Sequence, residues 1–312
     1  MYITMFGKEL KMIEPLHDVL LNWKVHPSSI ETVESHPNVY KVKSRKKTFY
    51  LKKRLNSSVE KRIEELLLTS FLLEKGLPVE RPLLTVSQHP YVQQHQAFYS
   101  LYQALEGLPV QVYSLTSLEG VGTYLSQLHS RLKQYVCKNE VEEWKVETHL
   151  REWIGGKGSK MIERWGEGFL GRLNEWSYSY SKLPHQFVHS DCHPRNILMK
   201  EGRVTGVIDF ERIRKAPRIA DVCYFLAGTL KDQVKQTGDE QFERIHAFMG
   251  GYQSEGTLTQ EEKELMPFLV IIFLLQYTFF YNQKGYSHLV SAYIPFINRL
   301  VNSSDYQLAF QM

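Results

Sequence analysis

The stretch Phe187-Val-His-Ser-Asp-Cys-His-Pro-Arg-Asn-Ile-Leu-Met-Lys200, followed shortly by Val207-Ile-Asp-Phe-Glu211, decides how this chain folds. Asp191 and Asn196 lie five residues apart in it, and Asp209 ends a short apolar segment beyond a glycine turn. The apolar segments predict two short strands joined as a hairpin. The joint spacing favours one polar site over three unrelated surface residues.

The three polar residues suit the transfer of a phosphoryl group to an alcohol. That reaction needs a carboxylate to orient the attacking hydroxyl and accept its proton, and oxygen ligands to hold Mg²⁺ across the phosphates. Kinase catalytic loops supply an Asp, an Asn five residues later, and a second Asp at the end of a later strand. Asp191, Asn196 and Asp209 have this spacing. The sequence therefore predicts Asp191 as the catalytic base, with Asn196 and Asp209 as metal ligands.

Size and composition are those of an ordinary globular protein. The 312 residues are enough for about two lobes, and 43% of them are hydrophobic. The net charge of +4 is too mild to indicate nucleic-acid binding. Three cysteines without CxxC spacing fit a reducing compartment, and the start, MYITMFGKEL, lacks the pattern of a signal peptide. The apolar run 268–281 is shorter than a membrane span and is interpreted as a buried helix. We expect a cytoplasmic protein that does not bind membranes.

The pattern of apolar residues changes along the chain. The first hundred residues predict strands, including a hairpin over 38–52 with a basic turn, and one helix over 59–75 that Gly76 stops. Turn residues at 103–109 mark a boundary, so we predict a lobe over 1–104 and a second over 105–312. The second lobe is predicted to be mostly helical, with helix breaks near 250–251 and 256. The fold class is therefore predicted as α+β.

At these motifs the sequence resembles the aminoglycoside phosphotransferase and choline kinase-like proteins. Their catalytic loop is HGDxHxxN, and residues 189–196 match it except that Ser190 replaces the glycine. Residues 207–211 match the family's metal-binding strand, His129 ends a similar helix, and Asp221 resembles the aspartate that braces the catalytic loop. The chain is most similar to the spore-coat-associated kinase-like proteins and the type II homoserine kinases. The resemblance implies a bilobal protein-kinase-like fold, with a small β-rich N-lobe and a larger, mostly helical C-lobe, that uses ATP and Mg²⁺.

The resemblance also implies an ion pair that contacts the nucleotide. Lys52 matches the strand lysine that contacts the α- and β-phosphates, with Lys53 as the alternative because only one of two neighbours faces that side. Its partner is expected on the helix over 59–75. Glu64 fits slightly better than Glu65 because apolar residues follow it on the same face.

Three further residues are implied as contacts to the nucleotide. Gln103 to Leu105 would form the hinge whose backbone meets the adenine. Asn38 falls where the family often has an Asn in the turn that covers the phosphates. The chain has no glycine-rich loop at that place.

Other functions remain open at this stage. The first alternative to a small-molecule kinase is a spore-coat protein that keeps the fold with weak or no catalysis and binds coat proteins. A second alternative is a metal-dependent hydrolase built on the histidines at 185, 189 and 193, although His189 is better interpreted as structural, bonded to backbone. The basic segment 212–218 is either a solvated loop or a docking site for an anionic substrate.

Overall fold

The computed structural model describes residues 16–34, 36–110, 112–137, 140–154, 166–232, 234 and 238–311. The chain divides into two compact units. The first runs to Leu66 and resumes over Arg81–Ala104, and the second comprises Leu67–Glu80 and the chain from Leu105 onward. The sequence-based division assigns 67–80 to the first lobe, whereas this stretch packs with the second unit in the structure.

An antiparallel sheet forms the first unit. Its elements are α1 (Leu16–Leu21), β1 (Ser29–Val33), β2 (His36–Ser44), β3 (Lys47–Arg54), β4 (Val92–Gln94) and β5 (Ala97–Gln103). The five strands lie in the order β1-β2-β3-β5-β4. Val42, Phe49, Leu51 and Leu101 are buried in one apolar core. The predicted hairpin is confirmed, because β2 and β3 pair and the chain turns at Arg45, whose φ is 53°.

Helix α2 (Val59–Glu74) lies between β3 and β4 in the chain. Its start is capped by the Ser58 hydroxyl, which accepts the N–H of Lys61 at 3.3 Å. Its end is set by Gly76, whose φ of 81° lies in the left-handed region that glycine adopts without strain. The predicted helix and its glycine stop are confirmed.

The second unit is mostly helical. Its helices are α3 (Leu115–Leu132), α4 (Val146–Ile154), α5 (Gly166–Ser181), α6 (Ile219–Lys231), α7 (Gly238–Glu255), α8 (Gln260–Gln283), α9 (Ser287–Val301) and α10 (Ser304–Leu308). Its short strands are β6 (Leu108–Pro109), β7 (His185–Val188), β8 (Ile197–Lys200), β9 (Arg203–Val207) and β10 (Arg214–Pro217). They form a sheet in the order β6-β8-β9 and a separate pair, β10-β7.

Close packing of α3 on α7 explains a pair of glycines. A Cβ on Gly122 would lie 2.1 Å from the carbonyl oxygen of Phe248, and one on Gly251 would lie 2.0 Å from that of Glu119. Any larger residue would push the two helices apart. The prediction of a helix break at 250–251 is therefore wrong, because the glycine serves helix contact and α7 continues through it.

Helix α8 is the long apolar helix of the second unit. Its N-terminus carries a capping box, in which Thr259 and Glu262 each accept the other's backbone N–H. Among the described residues it alone is long and apolar enough to cross a membrane, but 61% of its most apolar window is buried within the fold. It packs against α6 and α9. The interpretation of 268–281 as a buried helix is confirmed.

Candidate active site

A fully buried carboxylate holds the start of the catalytic loop. Asp221, in the first turn of α6, accepts the backbone N–H of His189 at 2.7 Å and that of Ser190 at 2.8 Å. Its Oδ2 also lies 3.2 Å from Nε2 of His129, whose Nδ1 lies 2.7 Å from the Tyr252 hydroxyl. Because a carboxylate only accepts, Nε2 of His129 carries the proton, and in the neutral ring Nδ1 accepts from Tyr252. The loop is thus tied to α3, α6 and α7.

The same loop fixes the backbone of Asp191. Its carbonyl oxygen accepts the side-chain N–H of Asn196 and the backbone N–H of His193, both at 2.9 Å. Its N–H donates to Nδ1 of His189 at 3.3 Å, and Nε2 of that ring lies 3.0 Å from the carbonyl oxygen of Ile208. His189 is therefore bonded to backbone on both sides, which confirms its interpretation as a structural residue.

The Asp191 side chain is half-buried and meets a tyrosine that the sequence did not indicate. The Tyr224 hydroxyl lies 3.5 Å from Oδ1 of Asp191. Burial, and then the charge of Asp191, raises the pKa of Tyr224 to about 12. The phenol therefore stays protonated near neutral pH and can donate to the carboxylate. This long contact leaves the second carboxylate oxygen of Asp191 available to an acceptor hydroxyl.

Asn196 and Asp209 lie at the same end of the β8–β9 hairpin. The N–H of Ile208 donates to the Asn196 carbonyl at 3.0 Å, which places Asn196 beside the residue before Asp209. The Asn196 amide nitrogen is occupied by the Asp191 carbonyl, so its amide oxygen is the atom left to act as a ligand. Amide and carboxylate oxygens are the donors that Mg²⁺ prefers. The two side chains fit such an ion, and their ligand role stays a prediction.

The transition-metal alternative finds no support in the geometry. No group of three His, Cys, Asp or Glu side chains suited to a metal occurs among the residues that the structure describes. The His185 ring instead lies 3.6 Å from the Glu143 carboxylate, and Nδ1 of His193 accepts the N–H of Arg195. Burial lowers the pKa of His193, which favours its neutral form.

In the first unit the structure favours Glu65 over the predicted Glu64. Glu65 is buried, accepts from the Tyr102 hydroxyl at 2.7 Å and pairs with Arg62 at 2.6 Å. The ammonium group of Lys52 lies 4.6 Å from the centre of the same Tyr102 ring. Glu64 is only half-buried. The preference for Glu64 is therefore corrected, because α2 turns the side chains of residues 62 and 65 inward together.

Lys52 is buried and Lys53 is half-buried, in keeping with the preference for Lys52. Gln103 is the exposed last residue of β5 and pairs with Phe49 of β3. Leu105 is half-buried and packs on Gly206 in the second unit. Asn38 is exposed in β2, near the β1–β2 turn. The nucleotide-binding roles of Lys52, Gln103, Leu105 and Asn38 stay predictions.

Most cations of the basic segment have partners within the second unit. The Arg218 guanidinium binds Glu262 through two nitrogens, at 2.7 and 2.8 Å, and Arg214 lies 3.9 Å from Glu142. Lys215 lies over a phenylalanine ring. Arg212 is exposed, and its carbonyl accepts the hydroxyl of Ser190, the residue that replaces the family glycine. Of the two interpretations of this segment, the solvated loop fits the first three cations and leaves Arg212 available.

Comparisons with known proteins agree with this architecture. Residues 29–254 match the model of the phosphotransferase enzyme family. An amicoumacin kinase in complex with AMP-PNP and Ca²⁺ has a TM-score of 0.78 at 17% identity, over 94% of this chain and 96% of that one. A microcompartment-associated aminopropanol kinase has a TM-score of 0.64 at 14% identity, over 95% and 94%. The fold is thus that of the protein-kinase-like phosphotransferases. The chain belongs to the phosphotransferase enzyme family, which confirms the resemblance.

The curated relatives match over part of their length. The homoserine kinase of Methylobacillus glycogenes is 22% identical over 208 residues, which are 64% of this chain and 62% of that kinase. Stress response kinase A of Salmonella typhi is 25% identical over 190 residues, 57% of this chain and 56% of that kinase. The chain therefore spans less than two thirds of the length of either relative.

Proposed function

We propose that this protein is an ATP- and Mg²⁺-dependent kinase that transfers the γ-phosphate to a hydroxyl of a small molecule. The observation that carries the proposal is the braced loop that holds Asp191 beside Asn196, at the end of the hairpin that leads to Asp209. Membership of the phosphotransferase family supports the reaction class. Relatives named as homoserine and aminopropanol kinases support a small alcohol as the acceptor.

The Asp191 carboxylate would orient the acceptor hydroxyl and take its proton. The acceptor oxygen bonds to the γ-phosphorus, the bond from that phosphorus to the bridging oxygen breaks, and ADP leaves. The buried Lys52 would contact the α- and β-phosphates, with Glu65 in the role first given to Glu64. Mg²⁺ held by Asn196 and Asp209 would supply positive charge that offsets the phosphate oxygens.

Calorimetry and a substrate panel test this proposal. The wild-type protein should bind ATP in the presence of Mg²⁺ and phosphorylate one of homoserine, choline, methylthioribose, aminoglycosides, sugars or peptides. Asp191→Asn should keep ATP binding and lose turnover by at least about 100-fold, the usual contribution of a general base. Asp305→Asn, an exposed aspartate of the second unit, is the matched control and should behave as wild type.

Two outcomes would contradict the proposal. Absence of ATP binding at millimolar concentration would favour the alternative of a non-catalytic protein with this fold, such as a coat component. Full turnover by Asp191→Asn would remove the base assignment. The proposed reaction consumes ATP, so we place the protein in the cytoplasm as part of the proposal.

A further inference from the structure

Glu80 is a buried acidic residue that no motif of this chain singles out. It ends the stretch 78–80, which runs beside the end of β9 in the second unit. The Glu80 N–H donates to the carbonyl of Val207 at 2.9 Å, and the N–H of Val207 donates to the carbonyl of Pro78 at 3.2 Å. The residue is only 5% exposed. Its carboxylate oxygen Oε2 accepts the backbone N–H of Asp209 at 3.1 Å.

The backbone of Asp209 has an unusual conformation at this point. Its φ of 72° and ψ of 56° place it in the left-handed region, which residues other than glycine seldom adopt. These angles set the direction of the Asp209 side chain relative to β9. A buried N–H needs an acceptor, and a carboxylate gives a stronger hydrogen bond than a neutral group. The Glu80 carboxylate therefore stabilises the conformation that directs the Asp209 carboxylate.

The stretch that carries Glu80 is itself firmly held. The Tyr124 hydroxyl of α3 donates to the carbonyl of Pro78 at 2.7 Å. A Cβ on Gly206 would lie 3.2 Å from the same carbonyl oxygen, so glycine allows the close approach of β9. Glu80 is therefore anchored to a strand and a helix, and its carboxylate has little freedom to move away from Asp209.

We propose that Glu80 is a positioning residue that sets the orientation of Asp209 and thereby the affinity of the site for a divalent cation. The inference rests on the proposed function, because it takes Asp209 as a metal ligand. Glu80 acts through the Asp209 backbone and does not itself bind the ion. The competing explanation is purely electrostatic, in which the negative charge of Glu80 attracts the cation whatever the orientation of Asp209.

Two conservative variants separate these explanations. Glu80→Asp keeps the charge but shortens the side chain by one methylene, so the carboxylate no longer reaches the Asp209 N–H. Glu80→Gln keeps the reach and an acceptor oxygen but removes the charge. The probe is Mn²⁺, and its binding to the protein saturated with AMP-PNP is followed by electron paramagnetic resonance. Glu74→Gln, an exposed glutamate of α2, is the control, and thermal unfolding verifies that each variant is folded.

Positioning predicts that Glu80→Asp weakens Mn²⁺ binding by about 10- to 100-fold, the usual effect of losing a group that orients a metal ligand. Glu80→Gln should lose less than Glu80→Asp. A larger loss in Glu80→Gln would overturn the inference in favour of the charge, and wild-type affinity in both variants would overturn any role. A wild-type protein that binds neither AMP-PNP nor Mn²⁺ would instead contradict the proposed function.

Discussion

Replacing Asp221 by asparagine removes the negative charge that braces the catalytic loop while leaving the shape of the side chain almost unchanged. Asparagine can still accept one backbone N–H through its remaining oxygen. Its NH₂ group, however, would face the N–H of either His189 or Ser190, which now meet the two carboxylate oxygens at 2.7 and 2.8 Å. One charge-assisted hydrogen bond is therefore lost, one buried donor is left without an acceptor, and the remaining bonds weaken.

The magnitude follows from these contacts. A hydrogen bond to a charged group contributes about 1.5–3 kcal/mol, and a buried donor without a partner costs about 1–3 kcal/mol. We expect the free energy of unfolding of the second unit to fall by about 3 kcal/mol or more. For a unit of this size each 1 kcal/mol moves the midpoint by about 2–4 °C, so a fall of about 6–12 °C is expected.

Differential scanning calorimetry of Asp221→Asn measures this fall, with Asp305→Asn as the control. Asp305 is exposed in the first turn of α10, where its loss should cost less than about 1 kcal/mol. Turnover should fall as well, because the loop that carries Asp191 is no longer held in one conformation. A midpoint equal to that of the wild type would refute the brace. A lower midpoint with unchanged turnover would refute its link to catalysis.

Three further substitutions test other parts of the site. Glu65→Gln should lower the free energy of unfolding by about 3 kcal/mol, because it leaves a buried guanidinium without its carboxylate. Glu64→Gln should stay within about 0.5 kcal/mol in the same denaturation assay, and equal effects would contradict the correction. Arg212→Ala should raise the KM of homoserine about tenfold and leave that of 3-aminopropan-1-ol, which lacks the carboxylate, unchanged; an unchanged homoserine KM would exclude an anion contact. Tyr224→Phe should lower kcat less than tenfold, since its contact to Asp191 is long, and a larger loss would show that the hydroxyl does more than orient the carboxylate.

The metal end of the site could be predicted from the sequence because its residues are close in the chain. Asp191 and Asn196 share one loop, and Asp209 follows a two-stranded hairpin whose register is set by a short turn. Local rules therefore suffice to bring them together. The strands and α2 were predictable for the same reason, since alternation of apolar residues and a terminal glycine are local signals.

Contacts between distant parts of the chain were not predictable in this way. The choice between Glu64 and Glu65 depends on Tyr102, which lies 37 residues beyond Glu65. The bond between Glu80 and the Asp209 amide joins residues 129 positions apart. One weak signal did exist, because a glutamate directly after the apolar stretch at 77–79 is unusual for a buried position. Without the tertiary structure nothing identifies its partner.

The two turns that carry the polar side chains are held by the same physical device. Ser190 has a φ of 57° and Asp209 a φ of 72°, so each turn contains a residue other than glycine in the left-handed region. That conformation costs roughly 1–2 kcal/mol. In each turn the N–H of that very residue donates to a buried carboxylate, Asp221 for the first and Glu80 for the second. A charge-assisted hydrogen bond of about 1.5–3 kcal/mol is enough to offset the strain. The orientation of the base and of a metal ligand thus depends on two carboxylates that take no part in the chemistry, and this explains why a serine is tolerated where the family has glycine.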